Sequence, residues 1–113
     1  MRYTESHEWI SEDGTVGITE YAKNELGDIV FIELPKIGTE VKAGQQVCVL
    51  ESTKAAVDVY SPASGKVIAV NMDLVGTPAK IKEKDVWLFK LKLSNPKEVE
   101  SLLDEQGYSK LHK

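Results

Sequence analysis

The chain has 113 residues, 42% of them hydrophobic and 28% charged, with 14 Lys+Arg against 18 Asp+Glu for a net charge of −4. This is ordinary globular composition at the length of one domain (residues 1–113), able to bury about 65% of its unfolded surface around one modest core. It excludes a membrane span, a disulfide framework (Cys48 is alone) and, with no basic block, a nucleic-acid partner. The N-terminus lacks the apolar run of a signal peptide and is too acidic for a transit peptide, so a cytoplasmic setting is expected.

In chain order, residues 15–18 form a first strand candidate after the Asp13-Gly14 turn signal. A short helix over 19–26 follows, with Thr19 as N-cap, Ala22 and Leu26 on one face, and Gly27 at the position after the C-cap. Residues 28–34 are β-branched and aromatic and stop at Pro35. Strands over 39–41, 46–52, 55–60 and 65–70 follow, divided by Ala43-Gly44 and by the Ser61-Pro62-Ala63-Ser64-Gly65 turn. Gly38-Thr39-Glu40-Val41 and Gly65-Lys66-Val67-Ile68 echo each other on the two sides of residues 51–64, as a folded-over sheet with two similar halves would. Residues 87–93 alternate, with Trp87, Phe89, Leu91 and Leu93 inward and Lys90 and Lys92 toward water. A C-terminal helix near 96–106 is predicted from Asn95 as N-cap, Pro96 at N1 and Glu98 closing a capping box, with Val99, Leu102 and Leu103 as its stripe and Gly107 as its end. Many short strands with Gly/Pro turns predict a mainly β sandwich or barrel.

Reactive side chains are scarce. His7-Glu8 opens like a zinc-protease helix, but position 11 is Ser, so a second ligand is missing from that face. His112 sits at the C-terminus, and neither histidine has a nucleophile in a recognisable context. Cys48 lies in the apolar run Val47-Cys48-Val49-Leu50 and reads as a buried thiol. No glycine-rich phosphate loop exists. The chain therefore reads as a non-enzyme.

The informative segment is Glu51-Ser52-Thr53-Lys54-Ala55. Lys54 lies in a link of a few residues between two β-rich runs, which predicts an exposed hairpin tip. A flexible lysine there suits a swinging covalent arm, with small Ala55 and Ala56 leaving room. A Schiff-base role would need a depressed pKa, which Glu51 and Asp58 oppose.

At this point the chain resembles a known family, the H protein of the glycine cleavage system, within the wider lipoyl/biotinyl carriers. The residues are Tyr3-Thr4 with His7-Glu8-Trp9-Ile10, Gly17-Ile18-Thr19, Leu26-Gly27-Asp28-Ile29-Val30-Phe31, Leu34-Pro35, Gly38, the Lys54 block, Ser61-Pro62-Ala63-Ser64-Gly65, Val70-Asn71, Trp87 and Leu93-Ser94-Asn95-Pro96. The resemblance implies a barrel-sandwich hybrid with lipoate attached to the Lys54 amine and Glu51, Ser52, Thr53 and Ala55 as the recognition block around it. It also implies a shuttle that takes an aminomethyl group from a pyridoxal-phosphate glycine decarboxylase to an aminomethyltransferase. Dihydrolipoamide dehydrogenase and a lipoate ligase or lipoyl/octanoyl transferase are the further partners implied, for a carrier expected to be monomeric. By the same resemblance Ser6, Glu8 and Asp58 are the polar groups of a cleft that shelters the loaded arm, although Glu8 and Asp58 read equally as surface acids. For His7 and Trp9, packing is the simpler reading.

Two departures stand out. Residues 72–86 are shorter than the family's loop and lack its Pro-Tyr-x-x-Gly segment, reading instead as an unusually charged Ile81-Lys82-Glu83-Lys84-Asp85. Glu25 replaces a family-typical His. The first departure leaves open an alternative, an H-like carrier serving lipoyl relay or another lipoate-dependent redox system.

Overall fold

The structure is a computed structural model that describes residues 1–84 and 86–111. Its strands are β1 (Arg2–Tyr3), β2 (Glu8–Ile10), β3 (Thr15–Ile18), β4 (Ile29–Glu33), β5 (Glu40–Val41), β6 (Gln46–Ser52), β7 (Ala56–Tyr60), β8 (Gly65–Val70) and β9 (Phe89–Leu93). They form two antiparallel sheets, one ordered β1-β2-β3-β9-β8-β5 and the other β4-β6-β7. The sheets are not closed into one barrel. The result is the mainly β, sandwich-like half of the expected hybrid, with short helices at its margins.

Period-2 patterning decides which faces meet. In β8, Gly65 and Val67 are buried while Lys66 and Ile68 are exposed; in β9, Phe89 and Leu91 are buried and Lys92 is exposed. These pack with Ile10, Val16 and Ile18 of the first sheet and with Ile29, Ile32, Cys48, Leu50 and Val59 of the second. Full burial of a side chain such as Phe89 contributes about 1.5–3 kcal/mol. The echoed segments do pair with each other: Glu40 lies opposite Lys66 and Val41 opposite Gly65.

Several expectations are corrected. The alternating strand begins at Phe89, not Trp87; Leu88 is fully buried and Trp87 only half-buried. The switch occurs because the Leu88 main chain is committed elsewhere, its N–H to Val16 O at 2.7 Å and its carbonyl to Asn71 N at 3.0 Å.

The single helix near 96–106 is instead two, α3 (Lys97–Glu100) and α4 (Glu105–Lys110). Leu103 between them pairs with Tyr3 in both directions (2.8 and 3.0 Å), which no continuing helix allows. Asp104 then caps α4 by accepting from Gly107 N at 2.7 Å, so Gly107 lies inside a helix and ends none. The N-cap position of α3 is Pro96, although Asn95 Oδ1 still accepts from Lys97 N at 3.3 Å. Glu98 bonds Ser64 N and Oγ, both at 3.1 Å, in place of closing a capping box.

Residues 72–86 are more than a loop. A helical turn α2 (Asp73–Gly76) and a 3₁₀ turn (Pro78–Lys82) are anchored by fully buried Leu74 and Ile81. His112 and Asp85 lie outside the described residues.

Candidate functional site

Lys54 occupies the turn between β6 and β7, whose last ladder pair is Glu51 opposite Ala56. The turn is pinned by one side chain. Ser52 Oγ accepts from Lys54 N and Ala55 N (both 3.1 Å) and donates to Ala55 O at 3.0 Å, while Ser52 N donates to the same carbonyl at 2.9 Å. Thr53 N donates to Asp28 O at 3.1 Å, tying the tip to the chain that enters β4. An exposed Lys54 thus stands on a rigid base.

The Lys54 stem lies over Gly27, where an added Cβ would sit 3.5 Å from Lys54 Cδ and 3.5 Å from Thr53 Oγ1. Gly27 keeps a negative φ and supplies no left-handed cap, contrary to its expected role. Leu26, the residue before it, ends helix α1 (Glu20–Glu25), with extended backbone and its N–H on Lys23 O. Thr19 caps the start of α1 as expected, its hydroxyl accepting from Ala22 N at 3.3 Å.

Leu26, next to Gly27 in the chain, lines a cleft of about 350 Å³. The three sequence-predicted cleft residues, Ser6, Glu8 and Asp58, all line it. Its apolar walls come from Ala22 and Leu26 of the α1 region and from Leu50, Val57 and Val59 of the β6–β7 hairpin. The other nine lining residues carry no cleft signal in the sequence; His7, Tyr21, Ala22 and Leu26 are four of them. Their only trace was helical spacing and the His7-Glu8-Trp9 run, neither of which points at a cavity.

Glu8 is 1% exposed and heavily solvated by protein donors. Oε1 accepts from Thr4 Oγ1 at 2.5 Å and Ser6 Oγ at 2.6 Å, and Oε2 accepts from Tyr60 N at 3.3 Å. Burial raises the Glu8 pKa above its ordinary value, and these hydrogen bonds partly oppose the rise. The sequence reading missed Thr4 as part of this shell. A carboxylate so placed ionises most easily when a cation shares the cleft, which suits a protonated amine among apolar walls. Asp58 sits exposed on β7 opposite Val49. Trp9 is a packing residue, its ring over Gly17 and its Nε1 donating to Ile18 O at 3.0 Å.

Residues 1–113 match the glycine cleavage H-protein family along the whole chain. The chain belongs to that family. It is 50% identical to the glycine cleavage system H protein of Parvibaculum lavamentivorans, covering 96% of this chain and 92% of the relative. The Thermotoga maritima H protein is also 50% identical, over 95% and 91% of the two chains. The crystal structure of the Mycobacterium marinum H protein superposes with a TM-score of 0.83 at 38% identity, covering 96% of this chain and 92% of that one. As an H-protein family member the chain is a carrier component of the glycine cleavage system, in a family that carries lipoate. Glycine decarboxylase and aminomethyltransferase are its counterparts in that system. Among the described residues no helix is long and apolar enough to cross a membrane.

Proposed function

We propose that Lys54 is the lipoyl attachment site, that the cleft lined by Ser6, Glu8 and Asp58 shelters the loaded arm, and that residues 1–113 act as one non-catalytic, monomeric, cytoplasmic carrier domain. The carrying observation is positional: an exposed lysine on a pinned hairpin tip, its stem over Gly27, one residue from the cleft wall at Leu26. The residues fit the group, since Gly27 leaves the stem a bed and the cleft offers apolar walls with carboxylates inside. A bound lipoyl group supplies the sulfur pair that accepts a one-carbon unit. The chain's own residues do the rest. Ser52 and Thr53 hold the tip, Glu51 and Ala55 complete the block presented to the modifying enzyme, and the walls exclude water from the cargo. Glu8 and Asp58 receive the cargo's ammonium.

The proposal extends to two further partners, dihydrolipoamide dehydrogenase, which reoxidises the arm, and a lipoate ligase or lipoyl/octanoyl transferase, which installs it. The deciding measurement is intact mass after incubation with lipoate ligase and lipoate. One lipoyl addition is expected for the parent and none for Lys54→Ala; equal labelling of the mutant removes the site assignment. A lipoylated protein that fails to support glycine–bicarbonate exchange with the decarboxylase points instead to lipoyl relay.

A further inference from the structure

The charged segment that departs from the family pattern bonds directly to the helix that walls the cleft. Helix α1 has six residues, too few to hold itself in water. At its C-terminal end Lys23 O accepts a long bond from Leu26 N–H (3.3 Å), and no left-handed glycine closes that end. Lys82 reinforces it. Its Nζ donates to Lys23 O at 2.6 Å and to Leu26 O at 2.8 Å, placing a cation at a helix C-terminus, where the backbone dipole favours it. A second strap runs the other way. Lys23, only 3% exposed, donates from Nζ to Glu83 O at 2.6 Å and to Glu20 Oε1 at 3.5 Å.

The two straps differ in what they hold. Lys23 secures the body of α1 from a buried position. Lys82 reaches from an exposed position to Leu26, which lines the cleft and precedes Gly27 under the Lys54 stem. The segment's own placement does not depend on Lys82, because Ile81 beside it is fully buried.

We infer that Lys82 is a positioning residue for the arm's cleft, holding Leu26-Gly27 and the C-terminal turn of α1 in the geometry that closes the wall beside Lys54. This rests on the proposed use of the cleft. Removing Lys82 leaves the fold and the hairpin tip in place but lets the wall open, so that water reaches the seated cargo. The charged end of residues 72–86 is then a strap on the cleft wall and not an idle loop.

The test uses the full chain and the variants Lys82→Met, Lys82→Arg and Asp58→Asn. In the unmodified proteins, amide hydrogen exchange is followed at residues 23–27. Lys82→Met is expected to exchange there roughly 3- to 10-fold faster, as loss of an exposed charged donor implies, with Lys82→Arg restoring most of the protection. The lipoylated, cargo-loaded proteins are then freed of decarboxylase, and loss of cargo is read as formaldehyde released into solution. Lys82→Met is expected to shorten cargo lifetime while its rate of lipoylation matches the parent. Unchanged exchange at residues 23–27 overturns the inference. So does faster exchange with an unchanged cargo lifetime, if Asp58→Asn shortens that lifetime. If neither Lys82→Met nor Asp58→Asn alters it, the cleft reading itself falls and the inference falls with it.

Discussion

The Tyr108 hydroxyl lies 2.8 Å from His7 Nδ1, joining residues 101 positions apart in the chain. The same hydroxyl is 2.6 Å from Thr19 Oγ1, the cap of α1. One phenol from the C-terminal helix thus ties the turn that aims Glu8 to the start of the cleft-wall helix. His7 adopts a left-handed backbone (φ 75°), a conformation that a non-glycine residue holds only when its surroundings enforce it. Its ring packs against Tyr21 at 4.5 Å, and Tyr3 stacks on Tyr108 at 4.9 Å.

Replacing Tyr108 by Phe keeps the stacking and deletes the shared hydroxyl. The expected cost is about 1–2 kcal/mol in urea unfolding, since buried Thr19 and half-buried His7 each lose a hydrogen bond. A midpoint equal to the parent's would show that this hydroxyl contributes nothing.

Gly17→Ala is expected to be costly for a steric reason. The new Cβ would stand 2.5 Å from the Trp9 ring, whose Nε1 is committed to Ile18 O. Overpacking of this kind costs typically about 1–3 kcal/mol, and the tryptophan emission should shift with the displaced ring. A variant with parental stability and emission would contradict the tight fit.

Glu8 gives stability a pH dependence of defined sign. Its folded-state pKa is raised by burial, so the folded form binds the proton more tightly than the unfolded form. Its contribution is therefore largest below the ordinary glutamate value of 4.5 and declines as pH rises from there through the raised value. In Glu8→Gln that slope disappears. The stability of the variant relative to the parent should climb across this window and then level off; a difference flat with pH refutes it.

Cys48 is 1% exposed, and burial, with Glu33 and Glu8 adding their charge, pushes its thiol up to about 12. At pH 8 the native protein should be inert to a disulfide reagent and should release one equivalent of thiol only on unfolding. Rapid labelling of the folded chain would show that the thiol is accessible.

The strands were legible where pattern and punctuation agreed. Residues 15–18, 46–52 and 65–70 were bounded correctly because alternation ended at Gly, Pro or Ser turns. Lys54 was legible because its link is short. The C-terminal helix was misread because its break depends on Leu103 pairing with Tyr3, a long-range bond that no local signal carries. Gly27 looked like a cap and proved to be a bed for a side chain 27 positions away, visible only once the hairpin folds over it. Ser6, Glu8 and Asp58 line one cleft, and Tyr21, Ala22 and Leu26 join them only through the placement of α1.

Strand β7 is an edge of its sheet, with main-chain groups that another molecule's strand could pair with. Near its end, the Tyr60 amide is already engaged by Glu8 Oε2 at 3.3 Å. The buried Glu8 carboxylate therefore also satisfies a main-chain donor of an edge strand, so that one residue joins the end of β7 to β2 of the other sheet.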